Sequence, residues 1–293
     1  VSVNTGLIAK KDMRLDWTLN ATYNKNTVVK LSQVVDTTSP GVLIGGIGGG
    51  IGNTIQAHQV GYPTYTFFVL EQQYDSQGRV IEVGSQAEID MNGDGQITAA
   101  DKWKDTNAFV DQNGDGKISF NDDSDQKELG SAIPTFTFGY NVNVSYQGFD
   151  FSANLYSAIG QEIIRNYERQ QPYANQLSYT INRWTGAGST NEDPRLTTAL
   201  NRNNVFSDYY VEKGSFARLK NLQVGYTFSN KKLEKLKISS SRIYLAANNL
   251  VTLTKYQGYD PDIGSAGGAL GAGIDYGFYP QARTIMTGIS IKF

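Results

Sequence analysis

Oxygen-bearing side chains recur at alternate positions in two short segments of the chain, residues 90–101 and residues 111–122. Each segment has Asp or Asn at its first, third and fifth positions, glycine at the sixth and Asp at the twelfth, which is the ligand spacing of EF-hand-type loops. Alternate oxygens converge on a cation, the glycine permits a sharp turn, and the seventh residue adds its backbone carbonyl. The predicted metal ligands are Asp90, Asn92, Asp94, Gln96, Thr98 and Asp101 in the first loop, and Asp111, Asn113, Asp115, Lys117, Ser119 and Asp122 in the second.

The expected occupant of these loops is Ca²⁺, with Mg²⁺ as the second choice, because both are hard cations that prefer oxygen ligands. Ile97 and Ile118 occupy the eighth position, which is apolar in such loops. We expect a structural role, in which the cation fixes a long connection that would otherwise move. Asp at the twelfth position is shorter than the usual Glu, which could lower the affinity for the cation or admit a water molecule as a ligand. The alternative interpretation is a pair of Asx-Gly turns that hold no metal.

Catalytic chemistry finds little support in the composition. The chain has 293 residues, no cysteine and one histidine, His58, which we place in a glycine-rich loop, so no nucleophile–histidine pair is indicated. The glycine run at residues 45–50 lacks the Lys-Ser/Thr ending of a phosphate-binding loop. The carboxylates at residues 122–125 lie among polar residues and resemble a solvated face more than a glycosidase pair. We predict that the protein is not an enzyme, and a net charge of −2 without a long basic run argues against nucleic-acid binding.

Period-two alternation of apolar and polar residues is the main structural signal in the chain. Between Thr135 and Tyr146, aromatic and branched residues occupy every second position and small polar residues the others. No run approaches the roughly 20 apolar residues of a membrane helix, and alternation of this kind is typical of a strand with lipid on one side. Seven strands are predicted, at residues 1–9, 15–23, 135–146, 149–159, 221–228, 243–253 and 284–293.

The connections between these strands alternate between short and long. Three long loops, residues 24–133, 160–214 and 254–282, alternate with short turns such as Gln147-Gly148. Outer-membrane barrels have this asymmetry, with short periplasmic turns and long extracellular loops. We therefore predict an all-β fold, an antiparallel transmembrane β-barrel with its long loops outside the cell and its C-terminus in the periplasm. Seven is an odd number and an open sheet would leave unpaired edges in lipid, so the remaining strands are expected outside residues 1–293.

Several short segments occur in an order that is shared with a known family. These segments are Asp90–Gly95, Gly130–Asn141, Tyr146–Asp150, Tyr210–Tyr226, Asn248–Leu250, Lys255–Asp262 and Tyr279–Arg283. Together they resemble the SusC/RagA family of TonB-dependent transporters over essentially the whole chain. The terminal Phe293, which follows alternating apolar residues, also resembles the C-terminal assembly signal of outer-membrane barrels.

The resemblance implies a 22-stranded barrel in the outer membrane of a Gram-negative bacterium of the Bacteroidota type, of which residues 1–293 hold the last seven strands. It further implies an N-terminal plug, a TonB complex that energises transport, and a SusD-like surface lipoprotein that acts as a lid. The expected cargo is an oligosaccharide or a peptide. Residues 24–133 then form an extracellular insert that carries both cation loops, and the second loop is an addition to the family pattern.

Two other functions remain open at this stage, a passive outer-membrane pore and a surface adhesion module stiffened by calcium. A single tandem pair of cation loops disfavours the adhesin, which would repeat the unit. Aromatic residues in the loops could contact the substrate or the lid, and they could equally form the aromatic girdles of a barrel. The candidate contact residues are Tyr173, Trp184, Tyr209, Tyr210 and Tyr276.

Overall fold

The part of the chain that the structure describes consists mainly of β-strands and the turns between them. The computed structural model describes residues 1–10, 12–31, 41–46, 54–74, 109–118, 125–167, 177–183, 207–228, 237–263 and 271–293. In these ranges, no helix is long and apolar enough to cross a membrane. Two short 3-10 helices, Ser178–Asn182 and Asp208–Tyr210, accompany the strands. The strands are β1 (Ser2–Lys10), β2 (Met13–Tyr23), β3 (Val42–Gly46), β4 (Thr54–His58), β5 (Thr66–Leu70), β6 (Gln126–Ser131), β7 (Phe136–Tyr146), β8 (Phe149–Ile159), β9 (Glu162–Arg165), β10 (Val211–Lys213), β11 (Phe216–Phe228), β12 (Ser240–Thr254), β13 (Ile274–Asp275) and β14 (Thr284–Lys292).

The largest sheet contains the seven predicted strands. Its order is β1-β2-β7-β8-β11-β12-β14, and every neighbouring pair is antiparallel. We call this sheet the wall. The seven predicted strands are confirmed, although β2 begins at Met13 and β12 at Ser240, both earlier than expected. The largest difference is in β11, which begins at Phe216 because it continues beyond an irregularity between Leu219 and Asn221. The predicted turn between β7 and β8 is also confirmed, with positive φ at Gln147 (48°) and Gly148 (88°).

The long connections contain sheets that the sequence did not reveal. The first connection supplies a four-stranded sheet in the order β3-β4-β5-β6, and the other two supply a three-stranded sheet in the order β10-β9-β13. In the smaller sheet β9 and β13 pair in parallel although they come from different connections. The placement of His58 in a loop was wrong, because it is the last residue of β4, with its ring 4.9 Å from that of Tyr65.

The three connections share one apolar core. Phe67 on β5 and Ile164 on β9 are both 0% exposed, and Ile274 on β13 is 4% exposed. The members of the cluster are Ile55, Phe67, Val69, Ile164, Tyr210 and Ile274. Burial of a large apolar side chain stabilises a fold by about 1.5–3 kcal/mol, so segments from all three connections hold one another in place. We call the two smaller sheets together the loop module.

Polar contacts reinforce this core. The side chain of Gln56, on β4, is buried and donates from Nε2 to the carbonyl oxygen of Ala272 at 2.7 Å. The backbone N–H of Ala272 donates in return to Gln56 Oε1 at 3.4 Å. The side-chain amide of Gln56 thereby joins the first and the third connection with two hydrogen bonds, as backbone groups of two paired strands would.

Candidate functional site

One face of the wall is apolar and open. Large hydrophobic side chains that would be buried in a soluble protein are exposed here, for example Leu253 at 66% and Ile289 at 67%. The strands β7 and β8 have 11 residues each. At about 3.4 Å per residue and a tilt of about 40°, such a strand spans roughly 28 Å, close to the ~25 Å apolar band of outer-membrane barrels.

Aromatic residues mark both ends of this apolar face. At the end next to the turn between β7 and β8, the rings of Phe149 and Tyr226 lie 4.5 Å apart. At the opposite end, the rings of Tyr23 and Phe136 lie 4.9 Å apart. Aromatic girdles at the two membrane interfaces have this arrangement. The apolar face therefore has both the height and the borders of a lipid-facing surface.

The other face of the wall is polar and carries a row of amides. The amide of Asn154 donates to Asn141 on the neighbouring strand, and Asn221 Nδ2 donates to Asn248 Oδ1 at 2.9 Å. Strand register continues this row of uncharged polar side chains across all seven strands. The row consists of Asn4, Thr18, Asn141, Asn154, Asn221, Asn248 and Thr284.

A glycine on the polar face makes room for an ion pair that spans three strands. Arg242 on β12 donates from Nε to Asp150 Oδ1 on β8 at 2.9 Å, and β11 lies between them. A Cβ on Gly225 of β11 would lie 2.6 Å from both Arg242 Nη2 and Asp150 Oδ1. Any side chain at position 225 would therefore displace the ion pair.

A second charged cluster joins the wall to the connection between β12 and β14. Arg218 on β11 is 3% exposed, and its guanidinium binds the carboxylate of Asp260. Lys220 Nζ lies 2.6 Å from Asp262 Oδ2, and the Arg218 Nη1 lies 3.5 Å from the same oxygen. We call these residues, together with Gln281, the clamp.

Hydrogen bonds complete the clamp. The backbone N–H of Gln281 donates to Asp260 Oδ2 at 2.9 Å, and the backbone N–H of Asp262 donates to Asp260 Oδ1 at 2.9 Å. Burial alone would raise the pKa of Asp260, but these donors and the Arg218 guanidinium outweigh burial and hold that pKa below its usual value. Asp260 is therefore a carboxylate at neutral pH, and it neutralises the buried arginine.

The loop module contains buried charged groups of its own, among them Asp275 and Arg165. The hydroxyl of Tyr256 donates to Asp275 Oδ2 at 2.6 Å, and burial, followed by this bond to a carboxylate, raises the pKa of Tyr256. Arg165 Nε lies 3.0 Å from Glu212 Oε1, which is ion-pair distance although the angle is poor for a hydrogen bond. The Arg165 pair links β9 to β10, and the Tyr256 pair links β13 to the segment that follows β12.

The structure describes part of the second predicted cation loop. Asp111 accepts the backbone N–H of Gly114 at Oδ1 and that of Gly116 at Oδ2, both at 2.7 Å. Asn113 and Asp115 accept the N–H groups two residues ahead, both at 2.8 Å. Gly116 has a φ of +79°, and Ile118 is 8% exposed, as the sixth and eighth positions of such a loop require.

The remaining predicted ligands, Asp90, Asn92, Asp94, Gln96, Thr98, Asp101, Ser119 and Asp122, lie outside the described residues. Within the described part of the chain, no three His, Cys, Asp or Glu side chains form a metal-binding group. Oxygens of Asp111, Asn113 and Asp115 retain lone pairs beyond their backbone hydrogen bonds, so the donor chemistry suits a hard cation.

The candidate contact residues have different surroundings. Tyr276 is 45% exposed, and Tyr209 packs partly buried against the loop core, with its ring centre 5.0 Å from the guanidinium of Arg165. Tyr210 is 3% exposed and belongs to that core, so it is removed from the contact set. Tyr173 and Trp184 lie outside the described residues.

Sequence reasoning did not assign a role to the clamp or to Gly225. Arg218, Lys220, Asp260, Asp262 and Gln281 fall within the shared segments of the resemblance, but nothing in their spacing shows that they meet. The available signal was the basic pair Arg218 and Lys220, at alternate positions of one strand, together with the Asp260-Pro-Asp262 segment of a later loop.

The wall and its two faces define a segment of a transmembrane β-barrel. SusC, a TonB-dependent receptor of Bacteroides thetaiotaomicron, is 28% identical over 293 residues, which are 100% of this chain and 26% of that protein. TonB-dependent receptor P3 of Formosa agariphila is 29% identical over 314 aligned residues, covering 100% of this chain and 28% of that protein. No family profile matches the chain.

Solved structures show the same fold. The RagAB peptide importer in its open-open state matches with a TM-score of 0.66 and 22% identity, over 100% of this chain and 28% of that one. The closed-closed state matches with a TM-score of 0.67 and 23% identity, over 100% of this chain and 29% of that one. The resemblance to SusC/RagA transporters is confirmed along the whole chain, which spans about a quarter of the length of the relatives it matches.

Replacing Arg218 by Met is expected to release the connection between β12 and β14. Loss of one partner of a buried ion pair lowers the free energy of unfolding by about 3–5 kcal/mol, because the remaining charge stays buried without compensation. Hydrogen exchange of residues 255–263 should accelerate in R218M and slow again in the double variant R218M/D260N. Arg14→Met is the matched control, since its side chain is 70% exposed. Equal protection in R218M and the unchanged protein would contradict the clamp.

Proposed function

We propose that the chain is the C-terminal part of an outer-membrane TonB-dependent active transporter that imports oligosaccharides or peptides. The observation that carries the proposal is a lipid-facing wall in a chain that aligns from end to end with TonB-dependent receptors. These relatives are receptors and transporters rather than enzymes. RagAB is a peptide importer, whereas the name of SusC as a TonB-dependent receptor specifies no cargo, so both cargo classes remain in the proposal.

The proposed transporter has further parts beyond this segment. The rest of the barrel, the plug and the contact with the TonB complex lie in the other three quarters of a protein of the relatives' length. In the proposed orientation, the loop module faces the exterior and the C-terminal end of β14 faces the periplasm. A SusD-like lipoprotein would close on the side of the loop module, where Tyr276 offers an exposed ring.

Energised uptake tests this proposal directly. Cells that lack the protein should fail to take up a fluorescent oligosaccharide or peptide larger than the porin limit, and the complete gene should restore uptake. A protonophore should abolish the restored uptake, because TonB draws on the proton gradient of the inner membrane. Uptake that resists the protonophore would indicate a passive pore. Surface attachment without uptake would indicate an adhesion module.

We also propose that the loop from Asp111 to Asp122 binds Ca²⁺, with Mg²⁺ as the weaker competitor, and that the loop from Asp90 to Asp101 binds a second ion. Support comes from the turn geometry of Asp111, Asn113 and Asp115 and from the positive φ of Gly116. The cation would neutralise carboxylates that repel each other and would fix the connection between β5 and β6.

Asp111→Asn is expected to remove one equivalent of bound calcium while the barrel remains assembled. Asparagine keeps an oxygen that can accept the N–H of Gly116 but loses the charge that holds a divalent cation. The complete protein is treated with a chelator and then titrated with calcium in an isothermal titration calorimeter, which measures the number of calcium ions bound per protein. Asp12→Asn, in the turn between β1 and β2, is the control. Equal stoichiometry in D111N and the unchanged protein, or no binding in either, would contradict the site.

A further inference from the structure

The second connection crosses between the wall and the loop module twice, and each of these crossings contains a glycine. The chain leaves β8 through Gly160 and returns to β11 through Gly214. The backbone N–H of Gly214 donates to the carbonyl of Gln161 at 2.9 Å, and Gln161 Nε2 donates to the carbonyl of Gly214 at 2.6 Å. Gly160 has a φ of +91°, which other residues rarely adopt. We call this paired crossing the neck.

The side chain of Glu162 lies next to the neck and against β6, a strand of the sheet that the first connection forms. Glu162, the first residue of β9, pairs in register with Lys213 of β10. Its side chain lies across Gly130 of β6, with Cγ 3.1 Å from the place where a Cβ on Gly130 would be. A glycine at position 130 therefore allows the side chain of Glu162 to lie between the two sheets of the loop module.

A second carboxylate borders the same glycine. Glu128, also on β6, accepts the backbone N–H of Gly130 at 2.8 Å through Oε1. The carboxylate of Glu162 makes no hydrogen bond or ion pair with any residue that the structure describes, and this side chain is half-buried. Lys213 on β10 and Glu128 on β6 are the charged groups that face it.

The charge of Glu162 is set by these surroundings. Burial raises the pKa of Glu162 to about 7, the positive charge of Lys213 opposes this rise, and the negative charge of Glu128 adds to it. Because the pKa is higher in the folded state than in the unfolded state, the packed arrangement binds the proton more tightly. Its contribution to stability is full at acidic pH and is lost as the pH rises through about 7.

We propose that the contact between β6 and β9 is a proton-sensitive joint, packed when Glu162 is neutral and loosened when Glu162 is charged and faces Glu128. The consequence is local. The sheet β3-β4-β5-β6 packs against the neck at acidic pH. At alkaline pH the contact between β6 and β9 opens more often, while the wall does not change.

Hydrogen exchange of the complete protein in nanodiscs tests the joint, with exchange times scaled for the intrinsic effect of pH. Between pH 5.5 and pH 8, opening of residues 126–131 and 162–165 should rise several-fold, whereas residues 216–228 of the wall should not change. Glu162→Gln should remove the pH dependence. If E162Q keeps the dependence, or if the unchanged protein shows none, the proposal is overturned.

Two further variants keep the test decisive if E162Q does not assemble. Glu128→Gln removes the repelling charge and should move the opening transition to lower pH. Lys213→Met removes the attracting charge and should move the transition to higher pH. Shifts in opposite directions identify titration of Glu162, because general damage to the joint would move both variants in the same direction. Transitions that do not move, or that move together, would overturn the proposal.

Discussion

A backbone N–H or C=O that faces lipid without a partner costs several kcal/mol, and this constraint governs the whole wall. Every neighbouring pair of strands in the wall is antiparallel, so the backbone polar groups between these strands are satisfied within the sheet. Side chains at successive positions of each strand then point to opposite faces of the sheet. Apolar residues take the face toward lipid, and amides such as Asn154 and Asn221 take the other face. Paired amides on the polar face add specificity, because a one-residue slip would move them into the apolar band.

The loop module depends on the wall through a few buried polar contacts. Arg218 must be neutralised where it lies, and its partner Asp260 belongs to the connection after β12, so the clamp fixes where that connection begins. The same connection then supplies Ile274 to a core shared with the two other connections. Segments that look like independent loops are thereby packed around one core.

Local patterns predicted the wall, whereas long-range contacts produced the rest. Alternation located all seven wall strands because each strand shows its lipid face in its own residues, and the turn geometry of the Asp111 loop likewise follows from adjacent residues. The loop sheets were missed because their strands are short and depend on distant partners, such as Gln56 and Ala272, 216 positions apart. The clamp joins residues 42 positions apart, Arg218 and Asp260, and no spacing rule predicts that meeting.

The central claim is tested most directly by measuring whether side chains along a wall strand face lipid or water. Residues 1–293 contain no cysteine. Single cysteines can therefore be placed along β7 in the complete protein, after replacement of any cysteine outside these residues, and spin-labelled in lipid bilayers. We predict that accessibility to oxygen, which dissolves in lipid, peaks at positions 138, 140, 142 and 144 and falls at positions 139, 141 and 143. A uniform profile, or higher accessibility to a water-soluble nickel complex at positions 138 and 140, would contradict a membrane-spanning wall.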